Sequence, residues 1–217
     1  AILNDFPRKK VIVLLGARQV GKTTLLESLR KKGQKVFSVN CDDMDDVLLI
    51  EEKTSTELRA LLAPYDLVFI DEAQRVKNIG LTLKKIGDLK LDTQVVVTGS
   101  SSLELADEVN EPATGRLIEY RLFPFSLSEL ATHTSEREEQ RMLEQRLIYG
   151  LYPEVVTFPG DAKRTLMTLA NNYLYKDLFS YRGLKKPDVL QKLLRTLALQ
   201  LGNEVSYNEL SNLLGVD

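Results

Sequence analysis

Val11-Ile-Val-Leu-Leu-Gly16-Ala-Arg-Gln-Val-Gly21-Lys22-Thr23-Thr24 runs an apolar strand into the pattern G-x-x-x-x-G-K-T. A helical spacing of leucines (Leu25, Leu26, Leu29) follows at once. Strand, glycine-bounded loop and helix start, in that order, are the context in which this pattern cradles phosphate. The glycines let the backbone curl until its N–H groups point inward at a β-phosphate. The loop Gly16, Ala17, Arg18, Gln19, Val20, Gly21, Lys22, Thr23 and Thr24 is therefore expected to wrap a nucleoside triphosphate. Lys22 would bring a point charge to the β/γ oxygens and Thr23 a hydroxyl to Mg²⁺.

Composition narrows the class. The chain has 217 residues, 43% hydrophobic and 28% charged, with a net charge of −2. That is ample for a sizeable core in one or two domains, and it gives no global basic field for nucleic acid or an anionic membrane. One cysteine, Cys41, excludes an internal disulfide framework and suits a reducing compartment. No apolar run nears the ~20 residues of a membrane helix. The first residues show no basic-then-apolar leader. These features predict a cytoplasmic protein with no membrane contact, and the absence of an initial Met predicts a trimmed chain.

Five β-rich runs punctuate the first part of the chain, at 11–15, 35–39, 67–70, 94–98 and 117–122. Helical patterns fill the gaps: 22–32 ending at Gly33, a capping box at Thr54–Glu57 opening a helix that stops before Pro64, then 79–87 and 102–109. Strand alternating with helix predicts a parallel five-stranded sheet covered on both faces. Beyond Phe123-Pro-Phe125 the periodicity turns helical, at 138–149, 162–181 and 188–201, with a short strand conceivable at 155–157. A serine-capped helix at 206–214, ending at Gly215, looks like the opening of a helix-turn-helix. The expected division is a phosphate-loop core at 1–125, a helical domain at 126–202 and the opening of a helix-turn-helix at 203–217, which the family resemblance given below makes the start of a winged helix.

Two carboxylates close the third run: Leu67-Val-Phe-Ile-Asp71-Glu72-Ala-Gln74. Beside a phosphate loop, Asp71 can hold Mg²⁺ through its water shell, and Glu72 can orient and deprotonate an attacking water. A water-activating Glu directly after the Mg²⁺ Asp favours hydrolysis over transfer to a small acceptor. The fourth run ends Val97-Thr98-Gly99-Ser100-Ser101-Ser102, and a polar tip there would sense a γ-phosphate. Ser101 and Ser100 lead, Thr98 is third, and Ser102 suits a helix cap. Arg116 is open between a γ-phosphate contact, on its own or a neighbouring subunit, and a solvated surface residue. The acidic cluster Asp42, Asp43, Asp45 and Asp46 reads as a solvated turn, with a Mg²⁺-water contact from Asp42 as the sharper option. His133 and Cys41 carry no catalytic expectation.

The segments 16–26, 69–74, 97–102, 115–126, 150–156 and 172–178 together resemble a group of prokaryotic AAA-like ATPases. In that group a winged helix follows the ATPase, and a C-terminal domain with a restriction-endonuclease-like fold comes after it. The resemblance implies ATP and Mg²⁺ as ligands, Lys22 and Thr23 at the phosphates, and Asp71 and Glu72 as the acidic pair. It also implies a sensor serine near 100 and a Gly115-Arg116 motif. ATP over GTP rests on it too, together with the absence of an Asn-Lys-x-Asp guanine motif. Gly150-Leu151-Tyr152-Pro153 departs from the group's Gly-Gly-Tyr-Pro. The chain is expected to stop inside the winged helix, with the nuclease-like domain lying outside it.

The function expected is a Mg²⁺-dependent ATPase acting as a switch or motor module for downstream domains. DNA would be met through the winged helix, and a homo-oligomer would form if Arg116 acts across subunits. A nucleotide-gated DNA-binding regulator with little turnover is the main rival, and a P-loop kinase for a small acceptor the second.

Overall fold

β1 (Val11–Gly16) and β4 (Gln94–Gly99) are buried at every position and lie side by side at the centre of one sheet. β2 (Val36–Asn40), β3 (Leu67–Asp71) and β5 (Leu117–Leu122) complete it in the order β2-β3-β4-β1-β5, every neighbouring pair parallel. A computed structural model describes residues 2–100, 115–171 and 187–215 of the chain. The helix expected at 102–109, the segment 172–178 and the later part of 162–181 fall outside the described residues.

Alternation along the strands sorts the core into two layers. Val11, Val13 and Leu15 of β1, Val68 and Ile70 of β3, and Val95 and Val97 of β4 face one layer. There they meet Val47 and Ile50 of α3 (Met44–Ile50), Leu58 and Leu62 of α4 (Ser55–Leu62), and Ile79, Leu83 and Ile86 of α5 (Ile79–Leu89). Ile12, Leu67, Phe69 and Val96 face the other, against Leu26 of α2 (Lys22–Ser28), with Leu29, and Ile2 of α1 (Ile2–Asp5). Helices thus cover both faces, as a parallel sheet requires. Each fully buried Leu, Ile or Val contributes about 1.5–3 kcal/mol.

Beyond the sheet come α6 (Leu127–His133), α7 (Glu136–Arg141), α8 (Leu143–Tyr149) and α9 (Pro153–Thr157). The strand conceived at 155–157 is α9 instead. Pro153 sits in its first turn, where its missing N–H costs nothing, and the Thr157 hydroxyl donates to the Pro153 carbonyl at 2.7 Å. Helix α2 is also shorter than expected, ending at Ser28 rather than 32.

By compactness the chain forms two units, 1–159 and 160–217. Helices α6 to α9 therefore belong with the sheet, although the periodicity changes at 126. The second unit holds α10 (Ala162–Leu169), α11 (Pro187–Leu199) and α12 (Tyr207–Leu214). α11 and α12 meet across an apolar cleft lined by Leu193, Leu197, Leu210 and Leu214. Among the described residues, no helix is long and apolar enough to cross a membrane.

Candidate functional site

Gly16 ends β1 and opens the loop under tight constraint. A Cβ placed there would lie 2.5 Å from the Leu122 carbonyl oxygen of β5 and 3.0 Å from Val20 Cγ2. Only glycine fits between the loop and the edge strand. The chain then turns through two left-handed residues, Gln19 at φ +61° and Gly21 at φ +96°, before α2 begins at Lys22. Val20 is buried beneath the loop. The Lys22 ammonium donates to the Gly16 carbonyl at 2.9 Å and to the Ala17 carbonyl at 3.0 Å, so a 5%-exposed cation spans the loop's mouth. Gly21 offers the start of α2 no side-chain cap, which leaves that end open to an anionic ligand.

The parallel register brings the acidic pair to the same sheet edge. Ile70 pairs with Val97, so the next residues, Asp71 at the end of β3 and Thr98 one residue before the end of β4, lie level with each other. Asp71 Oδ2 accepts the Thr23 hydroxyl at 3.1 Å, joining strand to loop. Its Oδ1 accepts the hydroxyl of Thr98, which is fully buried. Thr98 Oγ1 in turn accepts the Glu72 N–H at 3.1 Å. Glu72 itself adopts φ +53°, a left-handed turn that brings two adjacent carboxylates to one edge instead of opposite faces. Its Oε2 accepts the Gln74 amide at 2.5 Å, and the Gln74 carbonyl oxygen accepts the Ser100 N–H at 3.3 Å.

The structure therefore assembles Lys22, Thr23, Asp71 and Glu72 with the end of β4. Ser101 lies outside the described residues. Arg116 is not part of the assembly. It precedes Leu117, which pairs with Val11, whereas the loop leaves β1 level with Leu122. Six residues of strand, roughly 20 Å, separate it from the phosphate loop, and its guanidinium pairs with Asp88. A contact from Arg116 to a nucleotide on its own subunit is thus excluded by register, which no local motif reveals.

The acidic cluster after β2 lies on a solvated turn, as expected, and its carboxylates also hold the local backbone. Asp43 caps α3 by accepting the Asp45 N–H at 3.0 Å, Asp46 accepts the Asn40 N–H at 2.7 Å, and Asp42 pairs with Arg75 at 3.3 Å. Cys41 is buried, and burial, then the charges of Asp46, Asp71, Asp42 and Glu72, pushes its thiol up to about 12. It is unreactive by construction. His133 is exposed in the last turn of α6.

Two residues matter more than the sequence suggested. Thr98, ranked behind the serines, holds both carboxylate residues, and Gln74 joins Glu72 to Ser100. The sequence signal for Thr98 is its place directly after the apolar run Val95-Val96-Val97. Gln74 had as its signal only its nearness to Glu72 and its place at the end of the 69–74 segment that carries the resemblance.

A family model for the AAA domain matches residues 8–131, more than half of the 217 residues. The chain belongs to the AAA domain family. The matched span takes in the sheet, the phosphate loop and the Asp71–Glu72 pair. A second family model, a domain of unknown function, matches residues 140–217. An uncharacterized protein of Haemophilus influenzae is 25% identical over 225 residues, covering 93% of this chain and 54% of that protein. The uncharacterized protein MJ1544 of Methanocaldococcus jannaschii is 25% identical, over 94% of this chain and 50% of its own length. The chain spans about half the length of these curated relatives. Among solved structures, the Walker-type ATPase PABY2304 of Pyrococcus abyssi superposes with a TM-score of 0.54 at 18% identity. That match covers 98% of this chain and 85% of that one. The shared fold is that of the P-loop NTPases.

Proposed function

We propose that this AAA-domain chain binds ATP with Mg²⁺ and hydrolyses it, serving as a switch or motor module for a longer protein. The observation that carries the reading is the junction of Thr23 and Asp71 at 3.1 Å beside Lys22 and Glu72. One hydroxyl and one carboxylate fit Mg²⁺, which keeps waters and takes its remaining ligands from phosphate oxygens. Among the described residues there is no cluster of three His, Cys, Asp or Glu side chains to form an all-protein cage. When bound, the ion would neutralise charge on the β- and γ-oxygens; Thr23 and Asp71 would hold it. Lys22 would exchange its two carbonyl partners for phosphate oxygens. Glu72 would orient a water in line with the γ-phosphorus and take its proton as the bond to the β–γ bridging oxygen breaks.

The choice of ATP follows the family and the resemblance. Ser101 remains the sensor in this reading, as the next residue after Ser100 along the chain leaving β4. Residues 203–217 are read as the opening of a winged helix through which a longer protein could meet DNA, and the compartment as cytoplasmic. Any contribution of Arg116 would have to come across subunits.

Phosphate release with Mg²⁺ and ATP tests the hydrolase. Glu72→Gln should lower kcat about 10²–10⁴-fold while a fluorescent ATP analogue still binds, and Lys22→Ala should abolish that binding. Hydrolysis unaffected by Glu72→Gln would remove Glu72 from its role. Wild-type release no greater than that of Lys22→Ala, with or without duplex DNA, would favour the nucleotide-gated regulator.

A further inference from the structure

The Gln74 side chain bridges two strand ends. One end of its amide donates to Glu72 Oε2 at 2.5 Å, and the other accepts the Ser100 N–H at 3.3 Å. The amide's orientation is dictated by its partners. Reversed, it would set a carbonyl oxygen against a carboxylate and an NH₂ group against an N–H. The backbone of Glu72 is held separately, through its N–H to Thr98 at 3.1 Å. Thr98 belongs to β4 and Ser100 directly follows that strand. Glu72 is thus fastened to the end of β4 at two points, through its backbone and through its side chain, while its own backbone sits at φ +53°.

We propose that Gln74 is a positioning residue that tethers the Glu72 carboxylate to the end of β4, so that the base's orientation follows that strand. This rests on the reading of Glu72 as the water-activating group. The Gln74 amide occupies Oε2 and leaves Oε1 for the proton of the attacking water. A carboxylate on a flexible two-carbon stem would otherwise sample several rotamers, only one of them aligned with the water. Because Ser100 leads into the segment expected to face the γ-phosphate, a shift at that end of β4 moves the base as well.

The test compares steady-state Mg²⁺-ATP hydrolysis and Tm for wild type, Gln74→Ala, Gln74→Glu, Glu72→Gln and the double variant Glu72→Gln/Gln74→Ala. Gln74→Ala should lower kcat by about 10–100-fold with KM within about twofold, the signature of lost alignment. Gln74→Glu keeps the size and the acceptor for Ser100 but sets a carboxylate against a carboxylate. Because that repulsion costs stability, its Tm should stay below wild type and its kcat should stay low; the kcat loss at unchanged KM in Gln74→Ala, rather than Tm, separates lost alignment from a merely structural role. The double variant should be no slower than Glu72→Gln alone. Normal kcat in Gln74→Ala, a loss confined to KM, recovery of kcat in Gln74→Glu, or an additive loss in the double variant would each overturn the tether. If wild type shows no turnover above Lys22→Ala, the hydrolase reading falls, and amide exchange at Ser100 judges the tether. Exchange faster by about tenfold in Gln74→Ala but not in Gln74→Glu supports it, and unchanged exchange refutes it.

Discussion

Replacing Thr98 by valine removes one hydroxyl and almost no volume, yet that hydroxyl makes two of the bonds that hold the site together. Thr98 is fully buried, donates to Asp71 Oδ1 and accepts the Glu72 N–H at 3.1 Å. Leaving a buried N–H unpaired costs about 1–3 kcal/mol, and a hydrogen bond to a charged group contributes about 1.5–3 kcal/mol. Asp71 keeps its bond from Thr23 and is only half-buried, so water can replace part of what it loses. The net expectation is a loss of about 2–4 kcal/mol, which for a chain of this size lowers Tm by about 5–12 °C. Thr98→Ser keeps the hydroxyl and drops a methyl, at about 1 kcal/mol. Urea unfolding of the two variants beside wild type separates the contributions. The KM for Mg²⁺ in hydrolysis should rise in Thr98→Val, because Asp71 is no longer fixed. Should Thr98→Val unfold within about 0.5 kcal/mol of wild type, the hydrogen bonds assigned to Thr98 carry no weight.

Gly16→Ala should abolish nucleotide binding and lower Tm, since its Cβ would meet the Leu122 carbonyl oxygen at 2.5 Å; binding of a fluorescent ATP analogue at wild-type affinity would contradict that fit. Glu139 and Arg146 form a buried two-pronged pair at 3.0 and 3.2 Å, so Glu139→Ala should cost about 3 kcal/mol in urea unfolding. The Arg146 hydrogen bond holds the Glu139 carboxyl below its ordinary 4.5, so its stabilisation is full above that pH and is lost as pH falls through the lowered value. An acid titration of Tm should be flatter in Glu139→Gln. Cys41 runs the other way: its thiol is pushed from 9.0 up to about 12, so the stabilisation is full below pH 9.0 and drains as pH rises toward 12. The native protein should therefore resist a thiol reagent at pH 8 and react fully in urea; rapid native labelling would contradict the burial.

The sheet and the phosphate loop were legible because both are written locally. Each strand is a short run rich in β-branched, aromatic or other apolar residues, and the loop's glycines and lysine sit at fixed spacing. Four strands extend one residue further than the runs read from sequence, to Gly16, Asn40, Asp71 and Gly99, because the ladder continues past them, pairing Gly16 with Leu122, Asn40 with Asp71 and Gly99 with Leu15. Helix α6, with its Ser126–Glu129 capping box, escaped notice beside the Pro-containing segment. The Val155-Val156-Thr157 run has strand composition, but Pro153 two residues earlier starts a helical turn. Asp43 as a cap was hidden within an acidic cluster. Where Arg116 lies depends on strand register across more than a hundred residues, and the Gln74 bridge depends on β3 and β4 being neighbours. Neither can be read from local pattern.

If Glu72 is the base proposed above, its φ of +53° also marks a conflict between durability and chemistry. A glutamate in the left-handed region costs about 1–2 kcal/mol that glycine, and to a lesser degree asparagine, would avoid. Selection for thermal endurance alone would drive this position toward one of those two residues and yield a tougher, idle protein. Libraries screened only for heat resistance should therefore accumulate inactive variants at residue 72, and any stabilised form meant to turn over must gain its stability elsewhere.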